Sequence, residues 1–302
     1  MQSVNTQKKQ IKIDDLNVSY KQIGSGSIQI VLLHGWGINS DKYLKLIEIM
    51  SKENTDLKII VPDLPGFGKS DEPNENWNLD NYVEFVDKFI RSSTQDRGFE
   101  LLKNILKKTN IKKIMNGGFS SVSNSNSDHK KQINLIGHSF GGRIAIKYAM
   151  KYPEKIDKLI LTGAAGIKHR LTFKQKVFYF LAKRGKNIFS LPIIKKFQKY
   201  ARKIIYKLAR EKDYNQASPR MKEIMKNVLA EDLTLILEKI KTPTLLIWGR
   251  FDNSTPLSDG KIMNEKIENS KLIVINDANH SLPYQKPEEF VNFIKEFIKN
   301  DA

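Results

Sequence analysis

The residues best equipped for chemistry lie in the stretch QINLIGHSFGGRIAIKYAMKYPEKI, residues 132–156. An apolar run over residues 133–136 stops at Gly137-His138-Ser139-Phe140-Gly141-Gly142, and a helical pattern begins with no polar linker. A serine with glycine two positions away on each side, between a buried strand and a helix, is the setting of a nucleophile elbow. The glycines permit a turn too tight for side chains, and the helix aims its positive N-terminus at the hydroxyl. A serine hydroxyl is a poor nucleophile alone. It needs a base, itself oriented by an acid, and such a trio performs acyl transfer. The bland reading, a glycine-rich turn with an incidental serine, lacks a reason for the strand and helix on either side.

Five histidines are available as the base, and position sorts them. His138 neighbours the serine but points along the turn, away from Oγ. His34, in LLHGWG, precedes the serine and reads as a brace for its loop. His129 falls in a polar stretch, and His169 opens a basic one. His280, in NDANHSLP, stands just beyond an apolar run, on a loop at the expected end of the sheet. By the same logic Asp252 directly follows TLLIWG, where a carboxylate can hold an imidazole. Asp63, in VPDLPGFGKS, reads as turn-stabilising, and Asp277 is a weaker alternative acid. Ser139, Asp252 and His280 are the expected catalytic set.

The elements that must position them follow from apolar patterning. Residues 11–23 alternate loosely and read as a hairpin or two edge strands. SIQIVLLHG and DLKIIVPDLPGFG are nearly continuous apolar runs that end in glycine-rich turns, which fits strands of a parallel sheet covered on both faces. Residues 42–52 lie between them at helical spacing, and residues 78–108 are helical in pattern with a break near Gly98. Residues 115–131, MNGGFSSVSNSNSDHKK, form a polar low-complexity loop without apolar period. IDKLILTGAAG, TPTLLIWGRFD and SKLIVINDANH read as further buried strands, and residues 288–298 as a closing amphipathic helix. Strands alternating with helices imply an α/β fold with right-handed crossovers.

Between residues 167 and 228 the alternation stops, and the chain becomes helical and basic. Residues 166–228 hold 18 Lys and Arg against three acids, Glu211, Asp213 and Glu223, so the net charge of +18 belongs largely to this segment. Lys195, Lys196, Lys199, Arg202, Lys203, Lys207 and Arg210 run beside Phe197, Ala201, Ile204, Ile205 and Leu208. That pattern is either a solvated basic face or a surface for something anionic: a lipid headgroup surface, an acidic carrier protein or a charged substrate. The charge is not accompanied by an aromatic-interleaved sheet or a recognition helix, which argues against nucleic acid. The expected domains are a core of residues 1–166 and 229–302 with a basic helical cap, 167–228, inserted in it. With no cysteine, disulfide and thiolate chemistry are excluded. The sequence shows no metal cluster, phosphate loop or nucleotide fingerprint, so no cofactor is expected. MQSVNTQKKQIKIDD lacks a signal-peptide core and no run approaches a membrane span, so a cytoplasmic protein is expected.

Five segments in order, LLHGWG, DLPGFGKSDEP, LIGHSFGG, LLIWGRFD and DANHSLPYQKPEEF, resemble those of α/β-hydrolase-fold serine hydrolases. The resemblance spans residues 28 to 298 and implies a mostly parallel central sheet flanked by helices. It implies that the backbone N–H groups of Trp36 and Phe140 form an oxyanion hole and that residues 166–228 cap the site. The activity expected is hydrolysis of carboxylic esters through an acyl-enzyme. A serine at the elbow argues against the epoxide hydrolase and haloalkane dehalogenase branches, which carry aspartate there. Carbon–carbon bond hydrolases of the fold usually show a different residue before the serine and a GPG-like loop, where this chain has His138 and HGWG. HGWG with a basic cap also resembles esterases that act on an acyl chain held by an acyl carrier protein. A third alternative keeps the fold as a non-catalytic ligand-binding protein.

Overall fold

The computed structural model describes residues 6–54, 56–94, 132–168 and 217–299. The polar loop 115–131, the second half of the expected helix 78–108, His129, His169 and the basic run from Lys195 to Arg210 lie outside them.

Among the described residues, eight strands form one sheet. β1 (Gln7–Ile13) and β2 (Leu16–Ile23) make an antiparallel hairpin that turns through Asp14 and Asp15. β2 also pairs antiparallel with β4 (Leu57–Pro62), and β4 pairs parallel with β3 (Ile28–Leu33). β5 (Ile133–His138), β6 (Ile156–Thr162), β7 (Thr244–Gly249) and β8 (Ser270–Ile275) continue the parallel sheet. The order across the sheet is β1-β2-β4-β3-β5-β6-β7-β8. The chain thus leaves β3 toward one edge and returns as β5 on its other side. In open α/β sheets the crevice at such a reversal, at the carboxyl ends of the strands, is where ligands bind.

Side-chain alternation divides the core in two. Val31 and Leu33 of β3 and Leu159 and Leu161 of β6 face one apolar cluster. Ile30 and Leu32, with Ile160, face the other. The first cluster is closed by α2 (Leu79–Thr94), α3 (Phe140–Lys151), α4 (Pro219–Ala230) and α5 (Leu257–Lys266). The second is closed by α1 (Leu44–Glu53), the short α6 (Leu282–Gln285) and α7 (Pro287–Lys299). Strands buried on both faces have no polar face to alternate with, which is why β7 reads as a nearly unbroken apolar run and β5 as one interrupted by the buried Asn134. β8 departs from the expectation of a buried strand. It is the sheet edge, and most of its residues are only half-buried. α5 was not visible as a pattern, because Met263 is its one buried large apolar side chain. Its place is set instead by Gly260 lying against the Trp248 indole, where a Cβ would come within 2.9 Å of Cδ2.

α4 lies in the stretch between β6 and β7 where the insertion was expected, and runs to Ala230, past the expected boundary at residue 228. Met221, Ile224 and Val228 belong to the first core cluster. Ser218 Oγ caps the helix by accepting from Met221 N–H at 3.1 Å and donates to Glu72 at 2.7 Å. Beyond it, the Arg143 guanidinium donates to the Glu231 carbonyl, and Lys147 lies 2.8 Å from carboxylates of both Asp80 and Glu231.

A charged cluster joins α2 to α3. Asp87 is 3% exposed and accepts from Arg91, Lys155 and, at 3.1 Å, the Tyr148 hydroxyl. Burial works against its charge, but the hydrogen bonds and charges of Lys155 and Arg91 hold its carboxyl below the usual range. Removing one member of a buried charged set strands the others. Asp87→Ala should therefore lower unfolding stability by about 2 kcal/mol. Because the folded carboxyl is depressed, its contribution is complete above the unfolded value and fades as pH falls through the folded one. Urea titrations of parent and variant should differ at neutral pH and converge in strong acid.

Candidate active site

Ser139 occupies the junction of β5 and α3 with φ 55° and ψ −113°. Positive φ in a residue with a Cβ is strained by about 1–3 kcal/mol, so the surroundings must enforce it. A Cβ on Gly137 would sit 2.6 Å from Gly142 Cα, and one on Gly141 would collide with the Leu33 carbonyl. Ser139 N–H donates to the Thr162 carbonyl at 3.1 Å, and Gly141 N–H to the His34 carbonyl at 3.0 Å. The elbow is thus locked to both neighbouring strands, β6 and β3. Its hydroxyl is left facing the crevice.

His280 and Asp252 arrive from the loops after β8 and β7. His280 Nε2 lies 2.9 Å from Ser139 Oγ, and Nδ1 lies 2.7 Å from Asp252 Oδ2. The other carboxylate oxygen, Oδ1, accepts from the N–H groups of Ser254 at 2.8 Å and Thr255 at 2.9 Å. Burial opposes the charge on Asp252, but the hydrogen bond and charge of His280, with these two amides, hold its carboxyl below the usual range. An ionised carboxylate on Nδ1 fixes the proton there and leaves Nε2 free to accept one from Oγ. Asp277, the alternative acid, does not reach the imidazole. Its side chain is 74% exposed and pairs with Lys286.

Trp36 follows Gly35 on the loop after β3. A Cβ on Gly35 would lie 3.1 Å from Ser139 Cβ, so the loop backbone passes directly over the nucleophile. The Phe140 N–H is the first of α3, where no carbonyl within the helix can receive it. Trp36 packs edge-on to Phe140 at 5.1 Å and to Phe67 at 4.8 Å between ring centroids, which gathers three aromatic rings on the residues next to Gly35 and Ser139 and on the loop after β4.

The remaining described histidines brace this arrangement. His34 Nε2 accepts from Leu64 N–H at 2.9 Å, so Nδ1 carries the proton and donates to the Gly35 carbonyl at 2.7 Å. Asp63 accepts from Ser40 N–H at 2.8 Å and Lys69 N–H at 2.9 Å, which stabilises its turn. His138 turns away from Oγ. It is fully buried, donates from Nε2 to the His280 carbonyl at 2.9 Å, and receives the Tyr43 hydroxyl on Nδ1 at 2.7 Å. Sequence reasoning did not reach the Tyr43–His138–His280 connection, which joins three segments distant in the chain. It also missed Thr255, whose hydroxyl lies 2.9 Å from Asp252 Oδ2. The spacing Asp252-x-x-Thr255 was the available signal, since a side-chain oxygen there can fold back on the aspartate.

Residues 30–293 match the model of the alpha/beta hydrolase family. The chain belongs to that family. Similar relatives include a pimeloyl-[acyl-carrier protein] methyl ester esterase of Wigglesworthia glossinidia brevipalpis, 30% identical, with 93% of this chain and 97% of that protein covered. A 2-hydroxy-6-oxononadienedioate/2-hydroxy-6-oxononatrienedioate hydrolase of Pseudomonas putida is 24% identical, with 94% and 92% covered. Among solved structures, an esterase from Exiguobacterium antarcticum superposes with a TM-score of 0.64 at 22% identity, covering 95% of this chain and 97% of that one. Among the described residues no cluster suited to a metal ion occurs, and no helix is long and apolar enough to cross a membrane.

Burial pushes the His34 imidazole down from 6.5 to about 4. The folded form therefore stays neutral where the unfolded chain takes up a proton. Stability from this residue is complete above pH 6.5 and lost as pH falls toward 4. Replacing it with a group that cannot titrate, His34→Gln, should flatten the decline of the unfolding midpoint over that interval. A decline equally steep in parent and variant would assign the acid sensitivity elsewhere.

Proposed function

We propose that the protein is a serine hydrolase that cleaves carboxylic esters through an acyl-enzyme. The observation that carries this reading is the continuous chain from Ser139 Oγ to His280 at 2.9 Å and on to Asp252 at 2.7 Å. Ser139 Oγ attacks the ester carbonyl as His280 Nε2 takes its proton. The tetrahedral oxyanion is held by the N–H groups of Trp36 and Phe140, each such donor being worth about 3 kcal/mol. As the C–O bond breaks, His280 returns the proton to the leaving alcohol. Water then enters by the same route, and the acid and the free serine are released. The apolar ring cluster beside Oγ supports an acyl group rather than a charged one at that position.

A second reading refines the first: the acyl group is one presented by an acidic acyl carrier protein, docked on the basic segment 167–228. It is supported by the esterase relative named above and by the 18 basic residues against three acids in residues 166–228. Carbon–carbon bond cleavage is the competing chemistry, and HGWG with His138 supports the ester reading over it.

Ser139→Ala should abolish both fluorophosphonate labelling and hydrolysis of p-nitrophenyl esters, with a loss on the order of 10⁶ in kcat and an unchanged melting temperature. Retention of even a tenth of the activity would sink the mechanism. Labelling without turnover of any ester, together with consumption of a 2-hydroxy-6-oxo dienoate, would keep the trio and move the substrate to the carbon–carbon class.

A further inference from the structure

Among the described residues, the Thr255 side chain hydrogen-bonds to both members of the acid–base pair. Its Oγ1 lies 2.9 Å from Asp252 Oδ2, 3.2 Å from His280 Nδ1 and 2.9 Å from the Gly163 carbonyl. The residue is 8% exposed, so water offers little competition for these contacts.

A hydroxyl has one proton to give, and three neighbours constrain where it goes. Given to the Gly163 carbonyl, it would leave an oxygen lone pair 2.9 Å from an ionised carboxylate. Given to Oδ2, it makes a charge-assisted bond, roughly twice as strong as one between neutral groups. The proton therefore belongs on Oδ2. Asp252 then holds four donors: the amides of Ser254 and Thr255 on Oδ1, and the His280 ring N–H and the Thr255 hydroxyl on Oδ2. A carboxylate has about four lone-pair directions, so each is occupied and rotation of the group breaks several bonds at once. The amides alone fix only one oxygen.

We propose that Thr255 is a positioning residue of the active site, whose hydroxyl holds Asp252 Oδ2 against His280 Nδ1 and shares its negative charge. The proposal rests on the serine-hydrolase reading, in which His280 is the base. Two consequences follow. Loss of the hydroxyl loosens the imidazole's anchor, which slows the chemical step without touching substrate. It also leaves Oδ2 more negative, which favours the protonated imidazole, so the rate should need a higher pH to develop. The groups facing His280 are Asp252 from the loop after β7, Ser139 and His138 from the end of β5, and Thr255 itself. Only the last is altered.

The test uses full-length protein, with the rate of Ser139 labelling by a fluorophosphonate and the hydrolysis of p-nitrophenyl acetate, each followed against pH. Thr255→Val preserves shape and removes the hydroxyl. It should cut the labelling rate and kcat by about tenfold, leave KM within about twofold, and raise the pH of half-maximal rate. Thr255→Ser should recover most of the loss. Thr255→Ser and Thr255→Ala differ by the hydroxyl alone and decide the matter if the valine variant does not fold. Equal rates and equal pH profiles in the serine and alanine variants would overturn the proposal while leaving the nucleophile in place. A parent protein that neither reacts with the fluorophosphonate nor hydrolyses the ester would overturn both this and the reading beneath it.

Discussion

Everything at the candidate site depends on a steric constraint at the β5–α3 junction. Ser139 must take a left-handed backbone conformation that its own Cβ disfavours, and the strain is held by packing too tight for side chains at Gly137 and Gly141. The tightness is an interaction with neighbours rather than a property of the turn. Gly141 abuts the end of β3, and Ser139 N–H is tied to the end of β6. The order β4-β3-β5-β6 brings exactly those two ends beside the elbow, so the sheet topology and the strained serine require each other.

The same economy governs the polar groups beneath the crevice. A buried imidazole with unmet nitrogens would cost more than its packing returns. Each of the three described histidines is paired at both ring nitrogens: His34 with Leu64 and Gly35, His138 with Tyr43 and His280, and His280 with Asp252 and Ser139. His34 bonds only backbone, at Leu64 and Gly35, whereas His138 joins the Tyr43 hydroxyl to the His280 carbonyl. The loops that carry Trp36 and His280 are each held by a hydrogen bond from a buried imidazole, His34 to the Gly35 carbonyl and His138 to the His280 carbonyl.

How much of this could be read from the chain differs by the range of the interaction. Strands β3 to β7 were legible because burial on both faces leaves a nearly continuous apolar run; Ser139 and Asp252 stand just beyond such runs, and His280 beyond the half-buried edge strand β8. α5 was illegible for the complementary reason, since a helix placed by one glycine against one indole leaves no stripe. Thr255 and Tyr43 were illegible because their partners are decided by loop geometry, not by periodicity. Asp277, the weaker alternative acid by its position in the sequence, lies on an exposed surface beside Lys286.

The attachment of α4 bears on how an insertion between β6 and β7 can serve the site. Met221, Ile224 and Val228 share the main core, and Met221 sits against Gly66, one residue from the Phe67 ring that packs on Trp36. Arg143 and Lys147, on the helix that begins at Ser139, hold Glu231 just past the end of α4. α4 is thus fastened to the helix after Ser139 at one end and, near the other, to the loop whose Phe67 ring packs on Trp36. Gly66 and Phe67 link Met221 of α4 to Trp36, whereas the Ser139–His280–Asp252 line is bonded to the end of β6 and to the loop after β7. α4 is therefore tied to the ring cluster of Trp36, Phe67 and Phe140 through Met221 and Gly66, and to the helix that follows Ser139 through Glu231.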